Sequence, residues 1–225
     1  IENLQKLVNE QHLDAGFAFD GDADRCIAVD EKGDIIDGDT MLFILATRLK
    51  ERGMLDQDTV VATIMSNTGV ERALAKEGIR CIRTNVGDRF IYEAMQKGGY
   101  RLGGEQSGHI ILRKYATTGD GLLTAIMIAE QMLDEKLPLS ALAKPVVYLP
   151  QMERNLPAAD KSAIVQNPVV QETLQKITAR LGDAGRILLR ESGTEPMVRI
   201  MVEAETKELC RSTIDEMEKV IQSIE

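Results

Sequence analysis

Strand-like and helix-like segments alternate along the middle of the chain, from residue 59 to residue 136. The run TVVATIM (59–65) is typical of a buried strand, and TGVERALAKEG, which follows it, has the period of an amphipathic helix. IRCIRTNV and DRFIYEAMQKGG repeat this pair, and two short strands then lead to a long helix, GDGLLTAIMIAEQMLDEK. This order predicts an α/β fold with a mixed, mostly parallel sheet layer.

The regular alternation ends where prolines become frequent, at positions 138, 145, 150 and 157. These prolines predict a domain boundary at about 145–150. Beyond it, a helix (169–181), two strands around a tight loop and a final helix indicate a small α+β domain. The final helix has a continuous apolar stripe, formed by residues 210, 214, 217, 221 and 224.

Composition excludes several classes of partner. Of the 225 residues, 44% are hydrophobic, which is enough for a packed core, and the net charge of −9 argues against nucleic acid or an anionic membrane as a ligand. No apolar run approaches the ~20 residues of a membrane span, and no signal peptide is recognisable. Three cysteines without metal-type spacing suggest free thiols in a reducing compartment, so we expect a cytoplasmic protein. The chain begins with Ile1 rather than Met, which is consistent with a portion of a longer protein.

An acidic stretch, FAFDGDADRCIAVD (17–30), places carboxylates at alternate positions between two strand-like segments. Asp20, Asp22 and Asp24 could share one face of an extended chain, and a turn would bring them closer together. Three oxygen donors at this spacing suit a hard divalent cation such as Mg²⁺. Arg25 follows directly and could bind phosphate oxygens that also touch the metal, or it could form a salt bridge to the aspartates.

Other interpretations of the acidic stretch are a solvated polar turn, an EF-hand loop and a phosphatase site. The EF-hand is excluded because its sixth position requires glycine and here is Arg25, and because the flanking segments resemble strands. An aspartyl-phosphate phosphatase pattern, with Asp20 as nucleophile, fits imperfectly because its fifth position is Asp24. Magnesium-assisted phosphoryl chemistry is compatible with both the metal-site and the phosphatase interpretations.

A glycine-rich loop, GGEQSGH (103–109), joins two short strands. Glu105 and Ser107 could accept and donate hydrogen bonds to vicinal sugar hydroxyls, although an ordinary turn with incidental polar residues explains the loop as well. Ser107 does not fit the pattern of a hydrolase nucleophile, since the G-x-S-x-G elbow requires glycine at position 105, where this chain has Glu. His109 could transfer protons or serve as a structural histidine.

A second polar loop, RESGTEPMVR (190–199), lies between two strands of the C-terminal domain. Two arginines flank small residues with hydroxyls and accessible amides, a combination suited to a phosphate dianion. A hairpin with exposed arginines is the alternative. The residues that we expect to bind phosphate are Arg190, Ser192, Gly193, Thr194 and Arg199.

Taken together, DGDADR, GEQSGH and RESGTEPMVR, in this order, resemble the α-D-phosphohexomutase family. The residues in these three motifs are most similar to those of bacterial members acting on glucosamine phosphate. Relatives acting on glucose or mannose phosphate usually have Gly in place of Ala23, a residue other than Gln at position 106 and a different phosphate loop. The resemblance implies the end of a metal-binding α/β domain 2 at 1–34, an α/β domain 3 at 35–147 and an α+β domain 4 at 148–225.

The family moves phosphate between O6 and O1 of a hexose through a bisphosphorylated sugar, which in this branch supplies amino-sugar precursors of the cell wall. Its phosphate carrier is a phosphoserine in a Ser-His-Asn-Pro type loop of domain 1, and none of the seven serines here is followed by His-Asn. The resemblance therefore implies a C-terminal portion that is inactive alone. Its implied partners are a hexosamine phosphate and the missing N-terminal half, and a homodimer is left open.

The resemblance also implies a role for each candidate residue. Mg²⁺ is the implied cofactor, and its implied ligands are Asp20, Asp22 and Asp24. Arg25 would steady the reacting phosphate, His109 is a weaker candidate for proton transfer, and Glu105 and Ser107 would hold sugar hydroxyls. The alternatives are a phosphoglucomutase or phosphomannomutase of the same family, a Mg²⁺-dependent phosphatase, and a non-catalytic binding module.

Overall fold

The computed structural model describes residues 1–224 and divides the chain into two compact units, Ile1–Val147 and Tyr148–Glu225. Each unit has its own hydrophobic core. The further division of the first unit at residue 34 stays a prediction. Among residues 1–224, no helix combines the length and the apolar character needed to cross a membrane.

The first unit contains helices packed around two sheets. Its helices are α1 (Glu2–Gln11), α2 (Gly38–Glu51), α3 (Thr68–Lys76), α4 (Asp88–Gly98), α5 (Gly121–Glu135) and α6 (Leu139–Ala143). Its strands are β1 (Ala15–Phe19), β2 (Cys26–Asp30), β3 (Ile35–Ile36), β4 (Thr59–Thr63), β5 (Arg80–Thr84), β6 (Leu102–Gly104) and β7 (Ile110–Leu112). A short 3₁₀ turn, Asp56–Asp58, precedes β4.

The larger sheet of the first unit has the strand order β5-β4-β6-β7. Strand β4 pairs in parallel with β5 and with β6, whereas β6 and β7 form an antiparallel hairpin. The α/β prediction and its mostly parallel sheet are thus confirmed. Because the three parallel strands end at the same edge, the loops that follow β4, β5 and β6 meet there, which is where open α/β sheets bind ligands.

The smaller sheet is antiparallel throughout, in the order β1-β2-β3. Its strands β1 and β2 are the segments that flank the acidic stretch, and they pair in register from Ala15 with Asp30 to Phe19 with Cys26. The acidic residues therefore occupy a hairpin loop at one end of a short, partly buried sheet.

Helix α2 forms the centre of the first core. Eleven of its positions are buried, including the consecutive run from Gly38 to Ala46, because it is apolar on almost every side. Asp37 caps its N-terminus by accepting a hydrogen bond from the backbone N–H of Thr40 at 3.1 Å. Two ionisable side chains are buried along it, Asp39 and Arg48. Arg48 forms ion pairs with Glu130 and Asp134 of α5.

The second unit is an antiparallel sheet covered by helices, as predicted for a small α+β domain. Its strands β8 (Gln151–Pro157), β9 (Gly185–Glu191) and β10 (Met197–Ala204) have the order β8-β10-β9, and β8 was not predicted. Its helices are α7 (Lys161–Gln166), α8 (Pro168–Leu181) and α9 (Lys207–Gln222), with a 3₁₀ turn at Gly182–Ala184. The stripe of α9 packs into the core through Cys210, Ile214, Met217 and Ile221, which are all almost completely buried.

The buried α2 core gives a prediction about stability. Leu42 is completely buried in it, so Leu42→Ala should lower the free energy of unfolding by about 2–5 kcal/mol through lost burial and the cavity left behind. Leu133→Ala is the matched control, because Leu133 is 77% exposed on α5, and its effect should stay within about 0.5 kcal/mol. Urea unfolding monitored by circular dichroism measures both changes, and equal losses would contradict the assigned core.

Candidate functional site

The acidic residues form the loop of the β1–β2 hairpin, between the paired residues Phe19 and Cys26. The loop is tightened by a hydrogen bond from the N–H of Ala23 to the carbonyl of Asp20 at 3.2 Å. Ala23 has a left-handed backbone conformation, with φ at 58°. A second hydrogen bond, 2.9 Å long, runs from the N–H of Gly121 at the start of α5 to the carbonyl of Ala23. The loop is therefore held both internally and by the helix beside it.

This turn brings the three predicted carboxylates together. One oxygen from each of Asp20, Asp22 and Asp24 lies within 4.8 Å of the other two. Asp22 is exposed, whereas Asp20 and Asp24 are half-buried. The spacing argument from the sequence thus describes the geometry of these three residues correctly.

Arg25 forms ion pairs with two of the aspartates. Its Nε lies 2.6 Å from Asp20 Oδ2 and 3.6 Å from Asp24 Oδ1, and its backbone N–H donates to Asp20 Oδ1 at 3.2 Å. Desolvation acts to raise the pKa of Asp20, but the hydrogen bonds from the Arg25 backbone and side chain outweigh it and lower that pKa. Arg25 thus forms a salt bridge to Asp20, and half of its side chain stays exposed.

Asp24 also contacts His109. Its Oδ2 lies 3.0 Å from Nδ1 of the histidine, whose ring is buried. The other oxygen, Asp24 Oδ1, is buried and accepts no hydrogen bond within residues 1–224. Arg25 Nε lies 3.6 Å from this oxygen, which is beyond hydrogen-bond distance. A buried oxygen without a hydrogen bond is costly, and a divalent cation would compensate it more fully.

The donor set fits a hard divalent cation. Three carboxylates converge, one of their buried oxygens lacks a hydrogen bond, and all the donors are oxygens. Mg²⁺ prefers carboxylate oxygens and retains several waters, so an open hairpin loop suits it better than a closed cage would.

The predicted sugar-binding loop lies beside this hairpin. It turns from β6 into β7, and the N–H of Cys26 donates to the carbonyl of Gly108 at 3.1 Å. Gly108 has a positive φ of 93°, and a side chain there would come within 2.0 Å of the Cys26 carbonyl. Only glycine permits this approach, which positions Ser107 next to the acidic loop.

Ser107, Asp20 and Arg25 line one cleft of about 240 Å³. Ser107 Oγ lies 3.5 Å from Glu105 Oε2, and the other carboxylate oxygen of Glu105 accepts a hydrogen bond from the N–H of Gly87 at 3.0 Å. The structure thus brings Ser107 to the acidic loop, while Glu105 bridges to the start of α4 at the edge where the parallel strands end.

Sequence analysis missed Asp39, a completely buried acid in the first turn of α2. Its Oδ2 accepts a hydrogen bond from the N–H of Asn67 at 2.7 Å, which fixes the loop after β4. Burial raises the pKa of Asp39 to about 6, the Asn67 N–H acts against that rise, and the neighbouring Asp37 adds to it. Asp37 also accepts a hydrogen bond from Gln106 at 3.3 Å, which ties the candidate sugar loop to the same helix end.

The predicted phosphate loop connects β9 to β10 in the second unit. Arg190 and Arg199 are direct cross-strand partners, so two like charges lie side by side. Arg199 Nη2 lies 2.7 Å from Glu195 Oε2. The side chain of Arg190 forms no hydrogen bond or ion pair with any residue in 1–224, and Gly193 and Thr194 are exposed.

Two details of this loop were not predicted. Ser192 is buried, and its hydroxyl accepts a hydrogen bond from the N–H of Glu195 at 3.3 Å, so it shapes the loop rather than facing solvent. Lys161 of α7 donates to the Ser192 carbonyl at 2.5 Å and adds a third cation near the loop. The neighbouring Asp160, which caps α7, could have signalled the helix start that places Lys161 there.

Comparison with protein-family models assigns most of the chain. The model described as phosphoglucomutase/phosphomannomutase, alpha/beta/alpha domain III, matches residues 37–148. The model described as phosphoglucomutase/phosphomannomutase, C-terminal domain, matches residues 153–220. The resemblance to the α-D-phosphohexomutases, inferred from three motifs, is confirmed by these matches.

The curated relatives have a more specific name than the family models do. The phosphoglucosamine mutase of Lachnospira eligens is 51% identical over 223 residues, covering 99% of this chain and 50% of that protein. The phosphoglucosamine mutase of Bacillus subtilis is 49% identical over 222 residues, with the same coverage. The chain therefore spans about half the length of the curated relatives that it matches.

Solved structures share the fold at low identity. A phosphoglucomutase/phosphomannomutase family protein from Burkholderia thailandensis superposes with a TM-score of 0.79 at 23% identity, covering 99% of this chain and 50% of that one. N-acetylphosphoglucosamine mutase of Aspergillus fumigatus, in complex with GlcNAc-6P and magnesium, superposes with a TM-score of 0.76 at 18% identity, covering 92% of this chain and 51% of that one.

Asp39 gives a prediction about pH. Its folded-state pKa of about 6 lies above the ordinary 3.8, so the stability it contributes is fully present below pH 3.8 and is lost as the pH rises through 6. Asp39→Asn should therefore gain stability relative to the natural chain between pH 4 and pH 7.5, by up to about 3 kcal/mol. Urea unfolding at both pH values measures this, with Asp34→Asn, at an exposed position, as the control for a lost charge. A difference that is the same at both pH values would contradict the raised pKa.

Proposed function

The chain belongs to the phosphoglucomutase/phosphomannomutase family, and on that premise we propose that it is the metal- and sugar-phosphate-binding part of a phosphoglucosamine mutase. The observation that carries the proposal is the convergence of three carboxylates beside Arg25 and Ser107. The choice of glucosamine phosphate is supported by relatives of that name at about half identity.

Asp20, Asp22 and Asp24 would hold Mg²⁺. Their converging oxygens and the buried, unbonded Oδ1 of Asp24 support this assignment, and a structural relative is complexed with magnesium. When bound, the ion would neutralise charge on the phosphoryl group that is transferred. Arg25, already oriented by Asp20 with half of its side chain exposed, would contact the same phosphate.

Ser107 and Glu105 would bind the sugar. The hydroxyl of Ser107 lines the same cleft as Arg25, so it could donate to or accept from a sugar hydroxyl close to the metal site. Glu105 keeps a carboxylate oxygen near Ser107 while the N–H of Gly87 fixes the other one. Hydrogen bonds from a rigid loop position a substrate at low entropic cost.

The loop of the second unit would bind a phosphate that does not react. Arg190 is free to do so, and the exposed amides and hydroxyl of Gly193 and Thr194 add neutral donors. Arg199 would first have to exchange its ion pair with Glu195 for the phosphate. Ser192 would contribute by shaping the turn, since its side chain is buried.

The phosphate carrier would be a serine from the part of the relatives that this chain does not match. A free-standing phosphatase with Asp20 as nucleophile is less well supported, because both oxygens of Asp20 accept hydrogen bonds from Arg25. Those bonds lower the basicity of the carboxylate, which makes it a weaker nucleophile toward phosphorus.

A chimaera tests the proposed function. The half of the Lachnospira eligens protein that this chain does not match is joined to residues 1–225, and ³¹P NMR follows glucosamine 6-phosphate with and without Mg²⁺. Mg²⁺-dependent formation of glucosamine 1-phosphate supports the proposal. Faster conversion of glucose or mannose phosphate by the folded chimaera would favour the alternative within the family, and release of inorganic phosphate by the 225-residue chain alone would favour a phosphatase.

The two loops should divide binding and chemistry between them. Arg190→Ala should weaken glucosamine 6-phosphate binding about 10- to 100-fold, because a charge-assisted hydrogen bond is lost. Asp22→Ala should change that affinity less than about threefold without metal, yet abolish Mg²⁺-dependent turnover in the chimaera. Arg211→Ala, at an exposed arginine of α9, is the matched control. Equal loss of sugar-phosphate affinity in the Arg190 and Asp22 variants, measured by titration calorimetry, would refute this division.

Glu195 should compete with phosphate for Arg199, because its carboxylate already occupies Nη2. Glu195→Gln should therefore tighten inorganic phosphate binding about two- to fivefold, in keeping with the modest strength of an exposed ion pair. Glu191→Gln removes the same charge from an exposed neighbour that does not contact Arg199, and should have a smaller effect. If calorimetry finds the same gain for both variants, general electrostatics rather than competition explains it.

A further inference from the structure

A lysine side chain is bound to both ends of the turn between β9 and β10. Nζ of Lys161 donates to the carbonyl of Ser192 at 2.5 Å and lies 3.5 Å from the carbonyl of Glu195. Lys161 is half-buried, and it forms no ion pair with a carboxylate in residues 1–224. Its partners are main-chain carbonyls, which have no net charge, so its positive charge is not neutralised by an acidic side chain.

The hydrogen bond to Ser192 also determines where the next backbone N–H points. The Ser192 carbonyl and the Gly193 N–H belong to one planar trans peptide group, so they point in opposite directions. Ser192 is buried, whereas Gly193 is exposed, and a Cβ at Gly193 would meet no atom within 4 Å. Because Lys161 binds the carbonyl of this peptide group, the Gly193 N–H is directed away from the ammonium group.

Two consecutive backbone donors of the turn are unused. The N–H groups of Gly193 and Thr194 have no acceptor among residues 1–224, whereas the next N–H, that of Glu195, donates to Ser192 Oγ at 3.3 Å. Neighbouring N–H groups without acceptors form the kind of concave nest that binds anions. A cation on the carbonyl of a peptide group also polarises that group, which makes its N–H a stronger donor.

The other polar groups of Ser192 are bound as well. Its N–H donates to the carbonyl of Met197 at 3.0 Å, and Arg199 Nη2 donates to its hydroxyl at 3.4 Å. Among these contacts, the bond from Lys161 is the one that acts on the carbonyl. It is therefore the contact that sets the orientation of the peptide group between Ser192 and Gly193.

We propose that Lys161 is a positioning residue for phosphate binding: it holds the Ser192–Gly193 peptide group so that its N–H is presented to the anion. This inference rests on the proposed function, in which Arg190 and the same loop bind the phosphate that does not react. Lys161 acts through the peptide group, and the phosphate is bound by the backbone donors and the arginines.

An NMR titration of the 225-residue chain with inorganic phosphate tests this role. In the natural chain, the amide proton of Gly193 should move downfield, because phosphate accepts its hydrogen bond. Lys161→Met should bind phosphate about 5- to 30-fold more weakly, since a hydrogen bond to a charged group is lost. The downfield shift of Gly193 at saturating phosphate should be lost with it.

Lys207→Met is the matched control for a lost positive charge. Lys207 is an exposed lysine at the start of α9, and α9 follows the end of β10 that is farther from the turn. Solvent and salt screen its charge, so this variant should change the phosphate affinity less than about twofold.

The outcomes distinguish this inference from the proposed function. If the natural chain binds phosphate at the loop and Lys161→Met binds it equally well, the positioning role is wrong and the phosphate site stands. Equal weakening in the Lys161 and Lys207 variants, or a Gly193 shift that persists in Lys161→Met, would mean that the lysine contributes charge alone, which also overturns the inference. If phosphate shifts no resonance of residues 190–199 in the natural chain, the phosphate site and the role of Lys161 both fail.

A second variant covers a loss of folding. Should Lys161→Met not fold, as judged by circular dichroism, Lys161→Gln takes its place, because it removes the same charge but keeps a polar end at the half-buried position. The phosphate affinity and the Gly193 shift then decide the question in the same way.

Discussion

Mutual repulsion among three carboxylates is the constraint around which the first unit is organised. Asp20, Asp22 and Asp24 lie within 4.8 Å of one another in a six-residue hairpin loop, where solvent screens them only in part. Arg25 compensates one charge, and His109 forms a hydrogen bond with Asp24. The remaining negative charge, together with an unbonded buried oxygen, is what a divalent cation would balance.

Holding these groups together requires close contact between three separate segments. The hairpin loop, the loop that turns from β6 into β7, and the backbone at 119–121 touch one another through main-chain atoms. Gly108 and Gly119 make this possible, because a Cβ at either position would overlap a backbone carbonyl of the hairpin. The same contacts place Ser107 at the cleft and His109 within hydrogen-bond distance of Asp24, so folding and ligand geometry are determined together.

Sequence analysis predicted the features that depend on the local pattern of residues. Strand and helix periods predicted the α/β layer, and alternate aspartates in a tight hairpin predicted convergence, because short-range geometry governs both. It missed β8, because that strand is defined by its pairing with β10. It also missed the burial of Asp39 and the ion pair between Glu195 and Arg199, because both depend on which groups come together after folding. The hydrogen bonds of His109 could not be predicted for the same reason: its partners Asp24 and Gly119 are identified only by the tertiary fold.

The claim that the three aspartates form one cation site has a direct test, which is the anomalous scattering of Mn²⁺ in a crystal of the natural chain. The account predicts a single strong peak about 2.1 Å from an oxygen of each of Asp20, Asp22 and Asp24, with Oδ1 as the ligand atom of Asp24. A peak bound to only one of these residues, or no peak at the hairpin in crystals grown at saturating Mn²⁺, would contradict it.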